Sequence, residues 1–241
     1  MAALSARPGR PLAVAHRGAP YRARENTLPA LGAALEAGAD AVEFDVRLTR
    51  DGVPVLLHDD TLWRLWGHDE ALDELTYEEL RLLTGGGVPT LGAALEVMGR
   101  APEGVRSFID LPEGDPRTAK AVVAEVAAAG AAGRVYYCGS TRALLAVKEA
   151  EPEAETALSV KRHLPRPTEG LLRALEPRWF NYRFGLVAPE TVRRVHDEGR
   201  LVSVWTADRP RTMRRLAAMG VDSITSNRIG ALRKTLDRLG R

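Results

Sequence analysis

The chain has 241 residues, 34 basic against 32 acidic for a net charge of +2, and a single cysteine, Cys138. That balance, with no basic run interleaved with aromatics, argues against a nucleic-acid partner. No stretch nears the roughly 18 apolar residues of a membrane span, and one cysteine excludes an intramolecular disulfide. Residues 1–241 therefore read as one domain of a size usual for an α/β barrel. Met1 to Pro11 lacks the apolar run of a secretory signal, so a cytoplasmic protein is expected.

Short apolar runs rich in Val, Ile and aromatics alternate with Ala/Leu/Glu/Arg segments at helical spacing, which is the pattern of βαβ units. The first strand is expected at Leu12–Ala15, followed by a helix over Thr27–Ala37 with Thr27 as its cap and Gly38 at its end. A second strand, Ala41–Val46, is followed after Asp51-Gly52 by another apolar run, Val53–Leu57. A parallel crossover needs about a dozen residues or more, and Asp-Gly is a hairpin turn, so this run is expected to fold back on strand two. That return brings His58 to the level of Glu43 and Asp45.

Helix then strand alternates through the rest: Thr90–Met98, Arg106–Leu111, Pro116–Ala129, Arg134–Cys138, Thr141–Glu149, Thr156–Val160, Thr168–Leu175 and Trp179–Tyr182. The series closes with Pro189–Glu198, Leu201–Trp205, Pro210–Met219, Val221–Thr225 and Ile229–Leu239. Eight parallel strands and eight helices make a closed (β/α)8 TIM barrel with a β-hairpin excursion after strand two.

In such barrels the chemistry sits at the C-terminal ends of the strands and in the loops beyond them. Glu43 and Asp45 are two apart on a strand, so they share a face, while Val42, Phe44 and Val46 turn to the helices. Two carboxylates in a barrel mouth repel unless a positive group lies between them. A divalent cation held by oxygen ligands (Mg²⁺, Ca²⁺ or Mn²⁺) answers this, with Asp110 of the neighbouring strand as a third acid. An Arg-paired structural cluster is the competing reading. His16 and His58 both stand at strand ends beside these acids, where a pair of histidines can serve as general base and general acid on a phosphodiester. Arg17 offers a planar fork to phosphate oxygens. His68, His163 and His196 read as surface residues, and Cys138 as a small core residue.

His16-Arg17-Gly18, Glu25-Asn26-Thr27, the run Ala37 to Val46, Thr49 to Val55 and His58-Asp59 follow one another in an order and spacing that resembles the glycerophosphodiester phosphodiesterase family. Pro89-Thr90-Leu91, Trp205-Thr206 and Gly220-Val221-Asp222 before Asn227-Arg228 agree with it. The resemblance implies metal-dependent hydrolysis of glycerophosphodiesters to glycerol 3-phosphate and an alcohol, with attack by the glycerol 2-hydroxyl giving a cyclic phosphate that water opens. It implies His16 and His58 as the acid/base pair and Glu43, Asp45 and Asp110 as metal ligands, with Glu25 a further candidate. Arg17, Asn26 and Trp205 are implied as substrate contacts. The partner is then a small-molecule glycerophosphodiester. Alternatives are a related lipid phosphodiesterase, of the lysophospholipase D or sphingomyelinase D kind, and a catalytically weakened barrel that binds phosphodiesters.

Two departures stand out. Phe108-Ile109-Asp110-Leu111-Pro112 has Asp and Pro where the family carries Glu and Lys, which leaves Lys161 as either a substitute cation or a surface lysine. Trp63-Arg64-Leu65-Trp66 replaces a more polar family stretch, as either a packed helical turn or an apolar wall for the leaving alcohol.

Overall fold

The computed structural model describes residues 10–112, 114–162 and 167–239, and His163 lies outside them. Strand β1 (Leu12–His16) pairs in parallel with β2 (Ala41–Leu48), which pairs with β4 (Arg106–Leu111). The series continues through β5 (Val135–Gly139), β6 (Thr156–Val160), β7 (Trp179–Arg183), β8 (Leu201–Trp205) and β9 (Ser223–Ser226). β9 pairs with β1 and closes the barrel. The short β3 (Pro54–Leu56) runs antiparallel to β2 with Val46 opposite Leu56, so the hairpin forms as its sequence dictates.

The helices between strands are α1 (Leu28–Glu36), α4 (Leu91–Gly99), α5 (Pro116–Ala128), α6 (Thr141–Ala150), α7 (Glu169–Leu175), α8 (Pro189–Asp197), α9 (Pro210–Ala218) and α10 (Ile229–Leu239). Thr27 and Thr90 cap α1 and α4 by accepting from Ala30 N and Ala93 N, and Pro189 and Pro210 occupy first turns where no N–H is needed. Among the described residues no helix is long and apolar enough to cross a membrane.

Several barrel strands run one or two residues past their expected ends, and two start later than expected. Arg134 belongs to a 3-10 turn, Ala132–Arg134, and the last strand starts at Ser223 rather than Val221, because Asp222 bends there to bond the backbone of Val202. The excursion holds α2 (Trp63–Trp66), the helical turn that was one of the two readings of that stretch, and α3 (Tyr77–Leu83), which was not expected. Thr76 and Glu79 form a reciprocal capping box at the start of α3, so that helix did carry a local signal.

The core has three parts. Between barrel and helices lie Val42, Phe44 and Val46 with the apolar faces of the helices. Inside the barrel Phe108, Tyr136 and Trp179 stack, with ring centroids 4.2 and 6.0 Å apart, over Val14, Ala41 and Ala157. These rings fill the lower barrel and leave the polar residues above them at the mouth. The excursion has its own cluster of Val55, Leu57, Leu62, Leu72, Leu80 and Val88, which gives the segment after His58 a rigid base.

Candidate active site

Glu43 and Asp45 project inward from β2, and Asp110 lies opposite Asp45 on β4. One oxygen from each of the three comes within 4.8 Å of the others. Glu43 is 3% and Asp45 1% exposed, and Asp110 is half-buried. Burial first, then the charges of Asp45 and Asp110, push the Glu43 carboxyl well above the ordinary range. Burial and the Asp45 charge push Asp110 up to about 6. The Cys138 thiol, opposite Asp110 on β5 and itself pushed up by burial, hydrogen-bonds the Asp110 carboxylate from below. Three converging carboxylates whose mutual repulsion is only partly offset fit a divalent cation, and the all-oxygen donor set suits a hard one.

The competing Arg-paired cluster is realised in part. Arg17 Nε stands 3.1 Å from Asp45 Oδ2, and the Arg17 backbone N–H donates to Glu43 Oε2 at 2.8 Å. Both interactions need the loop after β1 in an unusual path, since Arg17 and Asn26 both hold φ near +56°. Gly18 makes that path possible: a Cβ there would meet the Ala30 carbonyl at 2.6 Å. The Asn26 side chain, 1% exposed, donates to Asp45 Oδ2 at 2.8 Å and accepts from Asp45 N at 3.3 Å. Asn26 thus spends both amide ends on orienting Asp45. Glu25 accepts from Arg17 Nη1 at 2.8 Å and from Arg64 at 2.6 and 3.1 Å, which directs its carboxylate to the two arginines. Burial pushes Glu25 up, but those bonds outweigh it and hold the acid below its usual value.

The two histidines are built differently. His16 Nδ1 lies 2.7 Å from Asn227 Oδ1, and Asn227 Nδ2 donates to Asp208 Oδ2 at 2.8 Å. With the amide nitrogen committed to Asp208, its oxygen faces the ring, so Nδ1 carries the proton and Nε2 is the free base. Nε2 lies 3.9 Å from Glu43 Oε2. Burial and the nearby Arg17 lower the His16 pKa, against the hydrogen bond to Asn227, which raises it. His58 instead places Nδ1 2.6 Å from a carboxylate oxygen of Asp59. Burial pushes Asp59 up, but bonds from Arg64 and His58 prevail and hold it below its usual value.

Trp205 ends β8 half-buried, its Nε1 donating to Asn181 O at 3.4 Å. The two lip tryptophans part company. Trp66 is half-buried over Gly87, where a Cβ would meet the indole at 2.1 Å, and Arg24 lies 4.1 Å above its ring. Trp63 is 65% exposed. Lys161 is exposed past β6, yet its charge reaches Asp110 and lowers that acid. His196 is exposed, as read from sequence, and places Nε2 2.7 Å from Asp222 Oδ2, a pair that ties α8 to the barrel floor. Sequence reasoning missed Asn227, Asp208 and Arg64 as site residues. Asn227-Arg228 was a visible motif, but its link to His16 spans 211 positions.

A family model described as the "Glycerophosphoryl diester phosphodiesterase family" matches residues 16–231. A glycerophosphodiester phosphodiesterase of Caldanaerobacter subterraneus subsp. tengcongensis is 30% identical over 234 residues, covering 90% of this chain and 93% of the relative. The crystal structure of a glycerophosphodiester phosphodiesterase from Thermotoga maritima superposes with a TM-score of 0.78 at 25% identity, over 92% of this chain and 97% of that one. An Oleispira antarctica phosphodiesterase, solved in complex with the product sn-glycerol-3-phosphate, shares the fold with a TM-score of 0.83 at 24% identity, over 96% and 99% of the two chains. With the family match running from His16 into the last helix, on a closed barrel with an acidic mouth, the chain belongs to the glycerophosphoryl diester phosphodiesterase family.

Proposed function

We propose that this protein, a phosphoric diester hydrolase, cleaves small glycerophosphodiesters to glycerol 3-phosphate and an alcohol, with a divalent cation held by Glu43, Asp45 and Asp110. The convergence of three carboxylate oxygens within 4.8 Å beside two differently wired histidines carries the reading. When bound, the cation supplies Lewis-acid polarisation of a phosphoryl oxygen. Mg²⁺, Ca²⁺ and Mn²⁺ all suit the donor set, and the reach of Asp110, shorter than the family glutamate by one carbon–carbon bond of about 1.5 Å, favours Mg²⁺, which readily keeps water ligands.

His16 takes the proton of the attacking glycerol hydroxyl at Nε2, because Asn227 holds its other nitrogen protonated. His58 delivers a proton from Nε2 to the departing alkoxide, with Nδ1 anchored on Asp59. Arg17, with Nη1 bonded to Glu25 and Nε against Asp45, turns Nη2 to the phosphate, and Lys161 adds a second positive charge on the Asp110 side. Trp205 lines the mouth. The buried single cysteine suits a reducing compartment, so we place the protein in the cytoplasm.

The test is turnover of glycerophosphocholine, glycerophosphoethanolamine and lysophosphatidylcholine while each cation is titrated into metal-free protein. Hydrolysis of the soluble diesters that appears only with cation is expected. Full activity in excess chelator, with no metal retained on analysis, sinks the metal-dependent reading. Activity confined to the lysophospholipid replaces the substrate assignment with the lipid alternative.

A further inference from the structure

Arg64 lies on α2, a four-residue turn with no buried residue, where an arginine would ordinarily be solvated. Its guanidinium instead makes three charge-assisted bonds. Nε donates to Asp59 Oδ2 at 2.5 Å, Nη2 to Glu25 Oε1 at 2.6 Å, and Nη1 to Glu25 Oε2 at 3.1 Å. Each carboxylate continues into the site. Asp59 Oδ1 meets His58 Nδ1 at 2.6 Å, and Glu25 Oε1 also accepts from Arg17 Nη1 at 2.8 Å. Arg17 in turn stands 3.1 Å from Asp45. One side chain from the excursion is thus the middle link between a histidine on one side of the mouth and an arginine and carboxylate on the other.

We propose that Arg64 is a positioning residue that sets His58 through Asp59 and Arg17 through Glu25, and that keeps Glu25 out of the cation-binding set. The inference rests on the roles proposed above for His58 and Arg17. Geometry favours arginine alone in this place. Two carboxylates approached along two edges of a planar fork give three bonds in fixed directions, whereas an ammonium is a point donor that cannot hold both in register. Isolated exposed ion pairs contribute little to stability, so the function of this one is orientation. Without Arg64, Asp59 keeps a single tether to the His58 ring, and Glu25, adjacent to Asn26 and Asp45, loses two of its three bonds and gains freedom to turn toward the acid cluster.

The experiment compares R64A, R64K, D59N, H58A and the double variant D59N/R64A, in kcat and KM for glycerophosphocholine and for a p-nitrophenyl glycerophosphodiester, with melting temperatures. R64A is expected to lower kcat about 10–100-fold, the usual scale for groups that orient active residues. The melting temperature is expected to stay near that of the native protein. R64K stays impaired, and added guanidinium restores part of the R64A rate. The loss is smaller with the p-nitrophenyl substrate, whose leaving group departs without a proton from His58. Residues acting through one another are non-additive, so D59N/R64A should fall by less than the product of the two single effects, the loss beyond D59N being that of the Glu25–Arg17 arm. Native-like kcat and KM in R64A, or effects of D59N and R64A that multiply, would overturn the proposal while leaving the activity assignment intact. Full turnover in H58A would instead remove the reading of His58 on which the inference stands.

Discussion

At the N-terminal floor of the barrel Glu155 receives two bonds from Arg106, at 2.9 and 3.0 Å, and one from Trp179 Nε1 at 2.7 Å. Asp40 there bonds Arg233 at 2.7 Å and the backbone of Ala13, and Asp222 bonds His196 and the backbone of Val202. Every one of these acids has a cation or donor of its own. Burial pushes Glu155 up, but its bonds prevail and hold it below the usual range. At the mouth, Glu43 and Asp110 face each other and Asp45, and both are pushed up. The acids of the floor, which are the less enclosed, are completed by the protein, and the more deeply buried acids of the mouth repel one another with only part of that charge offset. The floor closes the barrel, and the mouth holds its charge ready for a ligand.

The largest effect expected from this contrast is catalytic. His16→Ala and His58→Ala should each lower kcat by about 10²–10⁴-fold, the usual scale for general acid–base catalysis, in a protein that still folds. Either variant turning over at near the native rate under saturating cation would remove that histidine from the reaction and blur the distinction between the two ends.

Next come matched substitutions at the two ends. Glu155→Gln should destabilise by about 2 kcal/mol, the scale for losing charged hydrogen bonds, with kcat unchanged. Glu43→Gln should do the reverse: abolish cation-dependent turnover and raise the melting temperature of the metal-free protein by removing one repelling charge. The pH dependence follows in sign. Glu43 and Asp110 bind protons more tightly when folded than when unfolded. Their contribution to metal-free stability is therefore fully present below the ordinary carboxylate value near 4 and is lost as pH rises toward the value of about 6 at Asp110. Saturating cation should flatten that fall. Thermal denaturation from pH 4 to 7, with and without cation, measures both, and a metal-free curve that rises across this window contradicts the reading of the acid cluster.

The smallest effect is at the lip. Trp66→Ser should lower the melting temperature, since its ring covers Gly87 and packs beside the excursion core. Trp63→Ser should leave stability alone and alter the ranking of small against bulky headgroup alcohols. A uniform loss on all substrates from Trp63→Ser would mean that this exposed ring serves folding instead of selection.

Much of this was legible in the chain itself. Strand and helix alternation sufficed for the barrel, because period-2 and period-3.6 apolar patterns are local. Asp51-Gly52 announced the hairpin, and an i, i+2 pair on a strand put Glu43 and Asp45 on one face whatever the rest of the protein did. The strand containing Val135 starts late because Arg134 closes a 3-10 turn on Ala131, and β9 starts late where Asp222 bonds the backbone of Val202. α3 was missed although Thr76 and Glu79 spelled out its cap.

What the sequence by itself determined is the scaffold and the identity of the groups at its mouth: His16, His58, Glu43, Asp45 and Asp110, each fixed to a strand end or to the hairpin's return. Only the tertiary structure decided how those groups are wired. Asn227 and Asp208 reach His16 because β9 closes on β1, and Arg64 reaches Glu25 across 39 positions because the excursion folds over the first loop. Tertiary contacts likewise pair Glu25 with Arg17 and Arg64, and Asn26 with Asp45. A residue's type and strand position follow from neighbours in sequence. Its tautomer, its charge and its partners follow from neighbours in space, and in a closed barrel those come from both ends of the chain.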